Sequence, residues 1–312
     1  MGDGMIELNK IYNEDCLIGL KKIPNKSVNL IAIDPPYNIG KADWDKINNY
    51  VEWMGKVFKE CERVLKDNGS FYFFHNDFEQ MAELQVWLKN NTQFVFKQMI
   101  VWDKFNGSKW NQLNAIVYSE DNRNYSKQAE YCLYYTLQGK FIETSFSTVI
   151  KKQMKELNLK EMDFRKLKTS KNGNPTGWCS NIIKGKNIPT ESDWDLICKL
   201  IGKYDYKLLL NKYMKSRYIF NNQNLPSVWQ HEPIKQNGHT TPKPIEILKN
   251  IILTSSNEGD TILDCFMGSG STAIACIYTN RNYIGFELNE NYYTIAKNRI
   301  DICLENNKLH IN

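Results

Sequence analysis

The chain has 312 residues, of which 42% are hydrophobic, and a formal net charge of +5. A mean hydropathy of −0.53, with no apolar run near membrane-spanning length, argues against a membrane protein and for a soluble globular one. The eight cysteines show no paired CxxC spacing, and the four histidines form no cluster with them. Reduced thiols in a cytoplasmic protein without a metal are therefore expected, and the N-terminus lacks the regions of a signal peptide.

In chain order, a strand is expected over 6–12, then a helix from Cys16 to Ile23 that Pro24 ends. Asp15, just before it, suits a helix N-cap. Val28-Asn29-Leu30-Ile31-Ala32-Ile33 reads as a buried strand, β-branched and without alternation. It runs into Asp34-Pro35-Pro36-Tyr37, where two prolines end the ladder. Ligands bind at this end of strands in open α/β sheets. Asp34 and the Pro35 carbonyl could each accept one N–H of a planar amine, with Tyr37 stacking on the ring behind it. A plain strand-ending turn explains the tetrapeptide about as well.

Residues 38–45 read as a mobile loop over that site. Helical spacing from Asn48 to Leu65 ends at Asn68-Gly69. The strand Ser70–Phe74 follows, then a helix from Phe78 to Leu88 for which Asp77 is the expected cap. Strands are expected over Phe94–Asp103 and Ala129–Tyr135. Between them, 105–127 read as loop, with Lys104, Lys109, Trp110, Arg123, Tyr125 and Lys127 suiting either nucleic-acid contact or a solvated surface.

Residues 141–220 read as a mainly helical insert. Helices are expected over Phe146–Leu157, Asp163–Leu167 and Glu191–Leu200, the last capped by Thr190. Within 151–220, sixteen Lys and Arg face seven Asp and Glu, a net of +9, so the remainder of the chain is −4. That concentration is the electrostatic footprint of a nucleic-acid-contacting segment.

The chain then returns to α/β pattern, with Lys243-Pro244 leading into a helix over Ile245–Thr254. The strand Thr261–Phe266, which contains Asp264, is followed by Met267-Gly268-Ser269-Gly270-Ser271-Thr272 and a helix over Ala273–Ile277. Strand, glycine turn and helix make a ligand-binding loop. It is not a phosphate loop, because no Lys follows the second glycine. The next strand, Asn282–Glu287, ends in an acid, the position that binds ribose hydroxyls in nucleoside-binding α/β folds. A last helix is expected over Asn291–Ile300.

Asp34-Pro35-Pro36-Tyr37 together with Asp264-x-Phe266-x-Gly268-x-Gly270-Ser271 resembles the β class of S-adenosylmethionine-dependent DNA amino-methyltransferases. Asn13-Glu14-Asp15-Cys16-Leu17 and His239-Thr240-Thr241-Pro242-Lys243-Pro244 are similar to two further family elements. The resemblance implies a Rossmann-like sheet with a permuted motif order. The catalytic core is then 1–140 and 221–312, and the insert 141–220 is the target-recognition domain. It implies Asp34, Pro35, Pro36 and Tyr37 as catalytic residues. It implies Asp15, Lys243, Asp264, Phe266, Gly268, Gly270, Ser271, Thr272 and Glu287 as cofactor-binding, with Asp15 toward the adenine and Lys243 toward the methionine end.

The expected reaction is methylation of adenine N6 in duplex DNA after base flipping. Cytosine N4, an RNA or protein amide, and a silent DNA-binding module remain as alternatives. A cytosine-C5 enzyme is unsupported, because no Cys nucleophile stands beside the catalytic prolines. Relatives of the β class are often dimers, which makes a homodimer possible here, and the sequence leaves open a partner restriction endonuclease.

Overall fold

Val28–Ile33 (β2) is buried along its whole length, as a strand covered on both faces must be. In the computed structural model, which describes residues 6–40, 45–104, 129–137, 145–216, 225–233 and 242–309, it lies inside an eight-stranded sheet. The other strands are Lys10–Tyr12 (β1), Leu65–His75 (β3), Phe94–Asp103 (β4), Ala129–Leu137 (β5), Val228–Gln230 (β6), Thr261–Asp264 (β7) and Asn282–Phe286 (β8). Their order is β1-β8-β7-β2-β3-β5-β4-β6. β1, β8, β7, β2 and β3 run parallel, and β5 is antiparallel to both its neighbours. This is a mixed α/β sheet of the Rossmann-like kind.

Alternation along the strands feeds two cores. Ile31, Ile33, Phe71 and Phe73 pack on one face with Met54, Phe58, Cys61 and Leu84 of the helices Tyr50–Val64 and Phe78–Asn91. Leu30, Ala32, Tyr72 and Phe74 pack on the other with Ile247, Ile251, Ala275 and Ala296, from the helices Ile245–Ser255, Ser271–Tyr278 and Glu290–Leu309. The central pairing is Leu30 opposite Ile262 and Ile31 opposite Leu263. That register carries the end of β2 and the turn after β7 to the same edge of the sheet.

Several boundaries differ from expectation. β1 begins only at Lys10 because Asn9 adopts φ 60°, a left-handed residue that a strand cannot contain. β3 starts at Leu65, directly after the helix, and Asn68-Gly69 lie in a register shift against β2 rather than in a turn. The last helix runs to Leu309, because Cys303 extends the buried stripe of Ala296 and Ile300. Asp77 and Thr190 cap their helices, accepting from Gln80 N–H at 3.0 Å and Asp193 N–H at 3.2 Å.

The chain divides into two compact units, Met1–Gln138 with Tyr218–Asn312, and Gly139–Arg217. The second is helical, with Ser145–Glu156, Glu161–Arg165, Ser180–Ile183, Glu191–Ile201 and Tyr206–Ser216 around Phe146, Ile150, Phe164, Trp194 and Ile197. The helices at 180–183 and 206–216 were not expected from spacing. The loop 105–127 and His239 lie outside the described residues. Among the described residues, no helix is long and apolar enough to cross a membrane.

Phe58 has no exposed surface and meets Phe71, Phe73 and Trp87 within 6.3 Å. Phe58→Ala is expected to lower stability by about 3–5 kcal/mol in chemical denaturation. Phe78→Ala, at a side chain 69% exposed, should change it by no more than about 0.5 kcal/mol.

Candidate active site

The two prolines stop β2, and Asp34 is left at its carboxyl end, one quarter exposed. Tyr37 turns back beneath it and donates its hydroxyl to Asp34 Oδ1 at 2.6 Å. Lys243, which precedes the helix Ile245–Ser255, places its ammonium 2.5 Å from Asp34 Oδ2, 3.1 Å from Glu130 Oε2 and 3.2 Å from the Tyr37 hydroxyl oxygen. The rings of Tyr37, Phe74 and Trp102 cover it at 5.5, 5.2 and 5.8 Å. Glu130, on β5, also accepts from Lys104.

These neighbours set the protonation states. Burial pushes Lys243 toward neutrality, but Asp34 and Glu130 outweigh it and hold its pKa above the usual lysine value. Burial raises Glu130, yet Lys243 and Lys104 bring it down to about 2. Burial, with Asp34 and Glu130 nearby, keeps the Tyr37 phenol protonated.

A second chain of bonds holds the prolines. Asp77 N–H donates to His75 Nδ1 at 3.1 Å, so the ring is left to donate from Nε2 to the Tyr50 oxygen at 3.1 Å. Tyr50 in turn donates to the Pro36 carbonyl at 2.6 Å. Burial lowers His75 to about 4, which keeps this neutral tautomer. The loop expected to be mobile is tied down at both described ends. Asp45, 1% exposed, accepts from Asn38 N–H at 2.7 Å and Ile39 N–H at 3.0 Å. Residues 41–44 lie outside the described part.

Across the cavity, the turn after β7 is organised by its own acids. Asp264 accepts from Phe266 N–H at 3.0 Å and from the Thr272 hydroxyl at 2.6 Å. Glu287, at the end of β8, accepts from Gly268 N–H and Asn289 N–H, both at 2.8 Å, and burial raises its pKa. Gly270 sits at φ +83°, where a Cβ would meet Ala296 at 3.2 Å, so both backbone conformation and space require glycine. Arg299 clamps the turn from the last helix, donating to the Ser269 carbonyl at 2.5 Å and its hydroxyl at 2.7 Å.

The two halves share one cavity of about 540 Å³, the size of a small-molecule site. Asp15, Asp34, Pro35, Pro36, Tyr37, Lys243, Phe266, Gly268 and Glu287 line it. Asp264, Gly270, Ser271 and Thr272 stand behind its wall: Asp264 accepts from Thr272, Gly270 opens the helix Ser271–Tyr278, and Ser271 is buried at its start. Asp15 accepts from Leu17 N–H at 2.7 Å as a helix cap and also reaches the cavity. Lys243, expected toward the methionine end of a cofactor, lines the cavity with its ammonium bound to Asp34 and Glu130.

Tyr37 is only 6% exposed, because its hydroxyl is held by Asp34 and its ring lies 4.8 Å from that of His75. Sequence reasoning missed Glu130 and Arg299. The signal for Glu130 was an acid inside the otherwise apolar and aromatic Ala129–Tyr135. Nothing in the local sequence marked Arg299.

The carboxylates of Glu287 and Asp15 and the apolar faces of Trp53, Phe266 and Leu288 on the same wall suit a nucleoside with a ribose. A family model described as DNA methylase, of the N6/N4 type, matches residues 28–298. The Type II methyltransferase M1.MboII of Moraxella bovis is 29% identical over 296 residues, covering 94% of this chain and 96% of its own. The DNA adenine methyltransferase YhdJ of Escherichia coli K12 is 30% identical over 312 residues, covering 95% and 84%. In fold, the protein TTHA0409 of Thermus thermophilus, solved with S-adenosyl-L-methionine, is similar at a TM-score of 0.54 and 18% identity, covering 94% of this chain and 93% of that one.

Burial pushes Asp264 up to about 7 despite the bonds from Thr272 and Phe266. An unfolded aspartate titrates near 4, so between about pH 4 and 7 the folded chain binds the extra proton and stability falls as pH rises. Asp264→Asn lacks this component. Urea denaturation across that window is expected to move the stability difference in the variant's favour, by up to about 4 kcal/mol.

Proposed function

The chain belongs to the DNA methylase family of N6/N4 amino-methyltransferases, and from that premise we propose that it methylates the N6 amino group of adenine at a specific site in duplex DNA. S-adenosylmethionine is the cofactor. It would supply, when bound, an electrophilic methyl group whose bond to sulfur breaks, leaving its electrons on sulfur, as the amine nitrogen takes the methyl and gives up one N–H proton to the Asp34 carboxylate.

The observation that carries the reading is the shared cavity, with Asp34 on one wall and Glu287 with Gly268 on another. Asp34 accepts one N–H of the flipped base, and the Pro35 carbonyl the other, which localises the nitrogen lone pair. Tyr37 and Lys243 hold the carboxylate in place. Glu287 and Asp15 bind the cofactor's hydroxyl and amine groups, and Phe266 packs on its ring. Much of the acceleration comes from orientation, up to roughly 7–11 kcal/mol. Adenine is favoured by Asp at position 34, and one relative is named a DNA adenine methyltransferase.

The basic unit Gly139–Arg217 acts as the target-recognition domain, its lysines on phosphates. A partner restriction endonuclease is part of the proposal, supported by relatives named Type II methyltransferases. So is a homodimer, which light scattering in solution decides.

Methyl transfer from labelled S-adenosylmethionine to DNA, with product nucleosides identified by mass spectrometry, tests the reading. N6-methyladenine is expected, and Asp34→Ala should lower its formation by about 10²–10³-fold without loss of cofactor binding. N4-methylcytosine would overturn the base assignment, and label in RNA or protein alone would overturn the substrate class. Glu287→Ala is expected to weaken cofactor binding by at least about tenfold in calorimetric titration.

A further inference from the structure

Glu130 takes no part in the chemistry described above, yet it is among the most buried acids of the described chain, with a side chain 3% exposed. Its two oxygens are divided between two lysines. Oε1 accepts from Lys104, and Oε2 lies 3.1 Å from Lys243 Nζ. The Lys243 ammonium has three N–H groups and meets three acceptors, on Asp34, Glu130 and Tyr37. Its direction is therefore set. Asp34 is gripped at both oxygens, by Tyr37 on Oδ1 and by Lys243 on Oδ2, and its carboxylate plane cannot turn away from the cavity.

We propose that Glu130 is a positioning residue for methyl transfer, acting through the Lys243 ammonium on the Asp34 carboxylate. The proposal deepens the functional reading above and rests on it. Charge balance supplies the reason. Asp34 and Glu130 face Lys104 and Lys243, two of each sign, with Glu130 and Lys243 buried and Asp34 and Lys104 about a quarter exposed. With Glu130 in place, the ammonium divides its donors between two carboxylates, and Asp34 keeps accepting power for the substrate amine. Without that charge, the ammonium turns wholly to Asp34 and competes with the substrate for it. Lys243 also loses one of the two anions that keep it protonated.

The other groups around Lys243 come from every neighbouring element. They are Tyr37 after β2, His75 at the end of β3 behind the Tyr37 ring, Cys132 on β5, and Asp264 at the end of β7 across a small cavity. Tyr37, Cys132 and His75 stay neutral through the alkaline range. Asp264 is ionised there, and it is the same in wild type and variant.

The test compares wild type, Glu130→Gln and Glu130→Asp by three measurements. These are steady-state methyl transfer to DNA against pH, S-adenosylmethionine binding by calorimetry, and competitive acylation of Lys243 against pH, read by mass spectrometry. Glu130→Gln is expected to bind cofactor as wild type does, and to lose up to about 100-fold in kcat with little change in KM. The alkaline limb of kcat and the acylation midpoint of Lys243 should both move to lower pH. Glu130→Asp should fall between the two. A Glu130→Gln enzyme with wild-type kcat and midpoint overturns the proposal. If that variant loses cofactor binding, Glu130→Asp decides by the same readouts, and a wild-type midpoint there overturns it too. If wild type transfers no methyl to DNA, the functional reading fails, while the acylation midpoint still decides whether Glu130 governs Lys243.

Discussion

A lysine ammonium buried beneath the carboxyl end of β2 and the amino end of β5 sets the terms for the site around it. Lys243 is 6% exposed, and an ammonium there is tolerable only with anions at contact distance. Asp34 and Glu130 meet that demand from one side, and aromatic faces close the other. Everything nearby then follows in protonation state. Glu130 stays ionised despite burial, Tyr37 stays a phenol, and Asp34 is gripped at both oxygens.

The opposite wall solves a different problem with similar means. A glycine turn at the start of a helix exposes backbone N–H groups, which a buried site must satisfy. Here Glu287 takes the N–H of Gly268, Asp264 takes that of Phe266, and Arg299 fastens the Ser269 carbonyl. The turn is thus held from behind and from the side, and Phe266, Gly268, Ser269 and Glu287 are among the residues of this region that reach the cavity. The carboxylates that look alike in sequence divide into a wall residue, Glu287, and a fastening residue, Asp264.

Much of this was readable before any coordinates. Asp34-Pro35-Pro36-Tyr37 and the Gly268/Gly270 turn stood out because prolines and glycines act on their own backbone, whatever packs around them. The caps at Asp77 and Thr190 were readable for the same reason. The shortened β1, the long β3 and the extension of the last helix were not, because each was decided by a contact far along the chain. Asn9, for example, is tied to Asn282 and Tyr283 on β8.

What the sequence alone determined was the local chemistry: a strand that ends in an acid and two prolines, a glycine turn that opens a helix, and a basic helical stretch between them. Each depends on residues adjacent in the chain. What only the tertiary structure decided was which distant side chains share a charge balance. Glu130, Lys104 and Lys243 come from three separated segments, and the sheet order brings β2, β5 and β4 near one another at one edge. Local sequence carries no record of such neighbours, because interactions between buried charges depend on distance and burial, and both exist only once the chain has folded.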